Sequence, residues 1–147
     1  MQSPFEMIKN VENIESTNYI ELLPGEYTAK YWNENSVYFA DEAFRYFYNV
    51  ISRYVPSYSI KTVTEIKAET WTRISKKLKE LAEFLSDNPP MIEIEKWIDF
   101  DNVEESIKCF DRHKELYIKD LIRLIKEFTK WLEETCKTYS YITILGI

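Results

Sequence analysis

Three groups of side chains in this 147-residue sequence are spaced so that they could do chemistry: a cysteine near a histidine, paired carboxylates and clustered tyrosines. Cys109 and His113 lie four positions apart, so a helix would place the thiol and the imidazole on one face, as a nucleophile with its base or as two metal ligands. His113 is the only histidine, and a closed zinc site needs four ligands. Charged neighbours on both sides of His113 favour a surface histidine without a catalytic or metal-binding role.

Carboxylates are paired at Asp99 and Asp101 and at Glu104 and Glu105. Such pairs could hold a divalent cation or transfer a proton, but this spacing is common. Asp101 and Glu104 also fit the start of a helix, where acidic side chains cap free N–H groups and meet the positive end of the dipole. We therefore interpret these acids as capping and solvated residues, and expect no metal and no cofactor.

Glycine is scarce in the sequence. Gly25 and Gly146 are its only two glycines, which excludes the glycine-rich loops that hold phosphates in nucleotide hydrolases and dinucleotide-dependent dehydrogenases. With no nucleophile, base and oxyanion donor in a recognisable arrangement, we predict that the protein is not an enzyme.

Aromatic residues are concentrated near the start of the chain. Eight of the eleven tyrosines lie between residues 19 and 58, together with Trp32. They could form an aromatic core whose hydroxyls reach the surface, or an exposed patch of the kind that dominates binding interfaces. With Glu21, Glu26 and Glu34 at its edge, an exposed patch would suit a basic protein.

The net charge of −6 is unevenly distributed. Residues 87–105, here called the acidic segment, contain seven acids and one base, and residues 1–50 contain eight acids and three bases. Acidic zones favour a cationic partner and disfavour nucleic acid or an anionic membrane.

The chain is expected to be a single cytoplasmic domain spanning residues 1–147. No apolar run approaches the roughly 20 residues that cross a bilayer, and the first residues lack the apolar core of a signal peptide. The two cysteines are expected to be free thiols, which is consistent with a reducing compartment such as the cytosol.

The elements that would position these groups follow from periodicity. Short aromatic and β-branched runs at residues 19–23, 27–32 and 36–39, separated by turn residues, predict a three-stranded meander. Asp41 is expected to cap a helix that ends near residue 54, and residues 58–63 could hold a brief strand. Thr64 is expected to cap a helix through residue 86, which Pro89 and Pro90 keep from continuing.

The longest predicted element is a helix over residues 103–137. Its apolar stripe, spaced by three and four with one interruption, is Val103, Ile107, Phe110, Tyr117, Leu121, Leu124, Phe128 and Trp131. The interruption predicts a bend or break at residues 111–114. A strand at residues 139–145 is expected to join the meander, so the fold class is α+β: a small antiparallel sheet packed on about three helices, the last one long.

The chain resembles the small immunity proteins that bacteria encode beside polymorphic or contact-dependent toxins. The resemblance rests on one acidic domain, on the segments YTAKYW at 27–32 and SVYF at 36–39, and on Trp71 in an amphipathic helix. It implies a stoichiometric inhibitor that occludes a basic, nuclease-like toxin domain.

Partner binding is expected to use the acidic segment and the aromatic zone together. The candidate residues are Glu93, Glu95, Asp99, Asp101, Glu104, Glu105, Tyr27, Tyr31, Trp32 and Glu34. Two alternatives stay open: a homo-oligomeric module whose long helix pairs with a second copy, so that the protein is a monomer or a homodimer, and a small-molecule binder that uses a tyrosine-rich cavity.

Overall fold

The computed structural model describes residues 3–101 and 103–147. Its strands are β1 (Tyr19–Pro24), β2 (Val37–Ala40), β3 (Val63–Lys67) and β4 (Tyr141–Leu145). Its α-helices are α1 (Asp41–Phe44), α2 (Tyr48–Tyr54), α3 (Ala68–Ser86), α4 (Met91–Ile94), α5 (Glu104–Arg112) and α6 (Lys114–Thr135). Short 3₁₀ turns occupy Val11–Asn13 and Arg45–Phe47, the second joining α1 to α2.

The four strands form one antiparallel sheet in the order β2-β1-β4-β3. β4 lies in the middle, where Leu145 pairs with Glu21 of β1 on one side and with Val63 of β3 on the other. Together with the long final helix, this sheet confirms the predicted α+β class. It also confirms that the C-terminal strand joins the N-terminal strands, which it does by pairing with β1.

One predicted strand is absent, and one predicted helix begins later than expected. Residues 27–32 are not a strand, because Ala29 and Trp32 have left-handed backbone angles (φ of 62° and 64°) that extended chain does not adopt. Thr64 does not cap a helix but lies inside β3, and α3 begins at Ala68. The alternating burial of β3, in which Thr64 and Ile66 point inward, has the period of a strand.

The predicted break in the long helix is confirmed. α5 ends at Arg112, His113 leaves helical geometry (φ −113°, ψ 26°), and α6 begins at Lys114. The break divides a lightly buried first part, in which Phe110 is the one fully buried residue, from α6, whose stripe is buried over nearly its whole length.

One face of the sheet is covered by helices. α3 and α6 pack side by side, with Lys79 of α3 paired to Glu133 near the end of α6. The Phe128 ring lies at the centre, with ring centroids 4.9 Å from Phe39, 5.5 Å from Phe47 and 6.1 Å from Trp71. The Trp71 indole donates a hydrogen bond to the carbonyl of Ile142 (3.0 Å), which ties α3 to the central strand.

The opposite face of the sheet is covered without a helix. Glu21, Tyr38, Thr143 and Leu145 alternate with the residues that face the helices, yet none of them is exposed to solvent. The connection between β1 and β2 lies over them. This connection, residues 25–36, is called the aromatic loop below.

Candidate functional site

The aromatic loop is held by one buried carboxylate. Glu21 has no solvent exposure, and its Oε1 accepts a hydrogen bond from the backbone N–H of Trp32 (2.6 Å). Its Oε2 accepts three more, from the backbone N–H (3.0 Å) and side-chain amide (2.9 Å) of Asn33 and from the Ser36 hydroxyl (2.6 Å). Because every donor belongs to the loop, the carboxylate fixes the loop to the sheet.

Further hydrogen bonds fix both ends of the loop. The Thr143 hydroxyl donates to the carbonyl of Gly25 (2.8 Å), and the backbone N–H of Tyr27 donates to the Glu65 carboxylate of β3 (2.8 Å). The Tyr31 hydroxyl donates to the carbonyl of Gly146 (2.9 Å), and the Tyr38 hydroxyl donates to the carbonyl of Asn33. Together with the Glu21 bonds, these contacts join the loop to all four strands or their ends.

The rings of the loop form a chain of edge contacts. Centroids are 6.4 Å apart from Tyr27 to Tyr31, 6.1 Å from Tyr31 to Trp32 and 6.0 Å from Trp32 to Tyr38. Tyr38 is fully buried, Tyr31 and Trp32 are half-buried, and Tyr27 is 38% exposed. Burial thus increases along the chain, and both interpretations of the tyrosines apply in part: some are core residues and some reach the surface.

Burial changes the acidity of this cluster. Burial first, and then the nearby Glu21 carboxylate, which disfavours a second negative charge, raise the pKa of the Tyr38 hydroxyl to about 12. The pKa of Tyr31 is raised by burial first and then by the nearby Tyr27 and Glu21. Both hydroxyls therefore stay protonated donors well above neutral pH.

The acidic segment is partly buried and partly free. Its apolar residues Ile94, Ile98 and Phe100 join the core. Three of the candidate acids have basic neighbours: Glu93 with Lys96 (3.2 Å), Asp101 with Arg45 (4.0 Å) and Glu104 with Lys108 (3.1 Å). Glu95, Asp99 and Glu105 are exposed and have no basic group within 4 Å among the described residues, and Glu34 of the aromatic loop is exposed as well.

The predicted capping role of Asp101 is wrong. The residue at the N-cap of α5 is Val103, and no side chain caps it. Asp101 instead adopts a left-handed conformation (φ 59°), and its N–H donates to the Asp99 carboxylate at 2.7 Å. These two acids form a local turn that holds both carboxylates at the surface.

Beside this turn lies a cavity of about 320 Å³, called here the Arg45 pocket. It is lined by Arg45, Tyr48, Tyr58, Ser59, Ile60, Asp99 and Asp101. Tyr58 is buried and its ring lies 5.6 Å from that of Tyr48, so part of the tyrosine cluster does form the wall of a cavity.

The aromatic loop and the Arg45 pocket approach the same end of the sheet. The Tyr31 hydroxyl bonds to Gly146, the N–H of Ile147 donates to the carbonyl of Ile60 (3.0 Å), and Ile60 lines the pocket. Ile147 is 42% exposed between them. Within residues 3–101 and 103–147, no hydrogen bond or ion pair joins the loop directly to the acidic segment.

Among the described residues, no hydrogen bond joins Cys109 to His113, and both side chains contact Tyr117 instead. The Cys109 thiol lies 3.6 Å from the Tyr117 hydroxyl, and the half-buried His113 ring is tilted against the Tyr117 ring with centroids 5.7 Å apart. In the described part of the chain, no three His, Cys, Asp or Glu side chains are grouped so that they could hold a metal ion. None of the described helices is both long and apolar enough to cross a bilayer.

Sequence reasoning missed the residues that organise this surface. The sequence pattern places Glu21 among the acids at the edge of an exposed patch, whereas in the structure it is the buried residue on which the loop depends. A signal for this existed, because a lone carboxylate between Ile20 and Leu22 in an apolar strand requires partners, and Asn33 and Ser36 follow closely. Arg45 carried no comparable signal, because its position beside Asp101 depends on tertiary packing.

No family model, curated protein or solved structure matches this chain. The roles of its residues are therefore assigned from their own contacts, burial and charge.

Proposed function

We propose that this chain is a non-catalytic protein-binding protein, and specifically an immunity protein that binds and occludes a basic, nuclease-like toxin domain in the bacterial cytoplasm. The observation that carries the proposal is the aromatic loop. Its backbone is fixed by the buried Glu21 carboxylate, while Tyr27 stays exposed and Tyr31 and Trp32 stay half-exposed.

A fixed aromatic loop is suited to binding because little conformational entropy is lost when it meets a partner. Ala29 and Trp32 hold left-handed backbone angles that L residues adopt at a cost, and a buried carboxylate is costly unless it is fully hydrogen-bonded. Side chains pre-organised in this way lose less free energy on association than mobile ones do. Tyr and Trp are also the residue types that most often dominate an interface.

Charge supports a cationic partner. Glu95, Asp99 and Glu105 are exposed without a nearby basic group in the described residues, and Glu34 lies on the loop itself. Unpaired surface acids increase the association rate with a basic protein and repel nucleic acid. Because the loop and the Arg45 pocket meet at Ile147 and Ile60, one partner could contact both.

The test begins with the identification of the partner. The tagged protein is used to capture the product of the adjacent upstream gene, and association and dissociation rates are measured at 50 and 300 mM salt. Tyr27→Ala and Tyr31→Ala should each raise the dissociation rate by about tenfold or more, because hot-spot side chains contribute about 2 kcal/mol. The charge variant Glu95→Lys/Glu105→Lys should slow association at 50 mM salt and much less at 300 mM.

The matched control reverses two exposed acids on another surface, Glu127→Lys/Glu134→Lys on α6. This variant changes the net charge equally. An effect on association equal to that of the first variant would show general charge attraction and would refute a defined acidic surface. Unchanged dissociation in both tyrosine variants would refute the role of the loop.

A small-molecule binder is the second candidate, and the Arg45 pocket favours it. A cavity of about 320 Å³ with two tyrosine rings, one guanidinium and two carboxylates could hold a small zwitterionic or cationic ligand. Thermal stabilisation by one compound of a metabolite library, lost in Tyr48→Ala, would support this function.

The structure removes the reason for expecting a homodimer, which was that a second copy would cover the apolar stripe of the long helix. The stripe of the long helix that a second copy would cover is mostly buried within one chain, including Phe110, Leu121, Leu124 and Phe128. Sedimentation at micromolar concentration distinguishes this alternative, and we expect a monomer.

A further inference from the structure

A second cavity, on the helical side of the molecule, has the opposite charge. It measures about 280 Å³ and is lined by Asn49, Val50 and Arg53 of α2, Lys77 of α3, and Lys96 and Trp97, which follow α4. It is called the Trp97 pocket here. In a chain with a net charge of −6, three basic side chains converge on this one cavity from three separate elements.

The basic groups are positioned by packing. The Trp97 ring is stacked on Phe84 with centroids 5.6 Å apart, and the Lys77 ammonium lies 5.0 Å from the centroid of the Trp97 ring. This cation–π contact holds the ammonium in place without neutralising it. The Lys77 side chain is only 19% exposed, so its charge is held at the wall of the cavity.

Several hydrogen-bond donors around the cavity are not used within the protein. Among residues 3–101 and 103–147, none accepts a hydrogen bond from the Arg53 guanidinium, the Asn49 amide or the Trp97 indole N–H, and Arg53 has no carboxylate within 4 Å. Lys77 and Lys96 do have acidic neighbours, Glu80 at 3.8 Å and Glu93 at 3.2 Å. The Lys96–Glu93 pair is exposed and the Lys77–Glu80 pair is long, so both are weak enough for a ligand anion to replace them.

We propose that the Trp97 pocket is a binding site for a phosphate group. A phosphate carries up to two negative charges and several acceptor oxygens, which matches a planar guanidinium, two ammonium groups and two neutral donors better than a single carboxylate does. The Trp97 ring already packs against Phe84 and the Lys77 ammonium, so we do not expect a ligand to stack on it. The indole instead positions Lys77 and offers its N–H as a hydrogen-bond donor. The ligand is therefore inorganic phosphate or a phosphomonoester with a small organic group.

The experiment follows the Trp97 indole N–H in ¹H–¹⁵N spectra of the full chain. The resonance is assigned with Trp97→Phe, since the chain has four tryptophans. Sodium phosphate and glycerol 3-phosphate are titrated separately at constant ionic strength, with sodium chloride as the reference. We expect a saturable shift with at least one phosphate compound and none with chloride; the compound that binds more tightly shows whether the organic group contributes.

Variants test the residues. Arg53→Gln and Lys77→Gln should each weaken phosphate binding at least fivefold. The matched control is Lys76→Gln, one position away on α3 and exposed to solvent, which should leave the affinity within twofold. Arg53 is exposed, so Arg53→Gln keeps the fold even if Lys77→Gln disturbs packing on Trp97.

A shift that rises linearly without saturation, an equal shift with chloride, or equal effects of Lys76→Gln and Arg53→Gln would overturn the proposal. None of these readouts involves the protein partner. The site and the proposed immunity function can therefore fail independently of each other.

Discussion

Glu21 is the residue on which the candidate interface depends. It lies on a central strand, has no solvent exposure, and accepts four hydrogen bonds from residues 32–36. A buried carboxylate with so many donors fixes its neighbours, because loss of the charge would leave several donors without a partner. Glu21 is therefore a positioning residue: it is not part of the exposed surface but fixes the conformation of the aromatic loop that is.

Replacement of Glu21 by Gln should destabilise the protein by about 2–3 kcal/mol. The amide has nearly the same size but only one acceptor oxygen, and its NH₂ group would face a donor of the loop. Urea unfolding measures the loss, with Glu26→Gln on the exposed part of the loop as the control, expected to change stability by less than about 0.5 kcal/mol. A loss below that limit for Glu21→Gln would show that the four hydrogen bonds do not fix the loop.

At the scale of elements, the aromatic loop replaces the missing helical layer on one face of the sheet. β1 and β2 are adjacent and antiparallel, and a two-residue turn could have joined them. The chain instead uses residues 25–36 to cover Glu21, Tyr38 and Thr143. Coverage by a loop leaves its outer side chains free for a partner, which a packed helix would not do to the same extent.

The end of β4 is the second element on which the surface depends. A Cβ at Gly146 would lie 2.7 Å from the carbonyl oxygen of Thr62 and closer still to that of Ile60. Gly146→Ala should therefore displace residues 146 and 147 and break the hydrogen bonds from their N–H groups to Thr62 (3.1 Å) and Ile60 (3.0 Å).

Hydrogen exchange checks this prediction, since the amides of residues 146 and 147 should lose protection in Gly146→Ala. Gly25→Ala is the control. Gly25 has a positive φ of 91°, and a Cβ there would make only ordinary van der Waals contact with the Tyr139 ring (3.5 Å), so this substitution should cost about 1–2 kcal/mol while leaving those amides protected. Retained protection in Gly146→Ala would contradict the prediction, because it would mean that the backbone around Ile60 moves to accommodate the methyl group without loss of these hydrogen bonds.

At the scale of the whole molecule, tyrosine burial should make stability depend on alkaline pH. Burial raises the pKa of Tyr31, Tyr38, Tyr46, Tyr58 and Tyr117 above the ordinary value of 10.0, and that of Tyr38 to about 12. Below pH 10 both states keep their protons. Above it the unfolded chain loses protons that the folded chain keeps, so the free energy of unfolding falls as pH rises through 10 towards 12.

Urea unfolding between pH 8 and 12 measures this slope. Tyr38→Phe should flatten it, because one of the tyrosines with a raised pKa is removed, and each variant's own value at pH 8 serves as its reference. An identical slope in the variant and the parent would contradict a contribution from Tyr38.

Charge is also divided at this scale. Among the described residues, acids without a basic neighbour lie in the acidic segment and on the aromatic loop, whereas the Trp97 pocket is lined by three basic groups among the helices. The two proposed functions thus use regions of opposite sign, and a basic protein partner and a phosphate would not compete for one surface.

The sequence by itself determined the features that depend on local periodicity. The α+β class, the break near His113 and the addition of the C-terminal strand to the N-terminal strands all follow from the spacing of apolar residues. These signals are reliable because a buried stripe must repeat with the period of its own element.

Only the tertiary structure decided the candidate site. Residues 27–32 have strand-like composition, but the buried carboxylate of Glu21 bonds to their backbone and stabilises a loop with left-handed residues. Arg45 pairs with Asp101, and Arg53 lines one cavity with Lys77 and Trp97, across elements far apart in the chain. Such contacts are set by how helices and strands pack together, and the spacing of residues within one element contains no information about them.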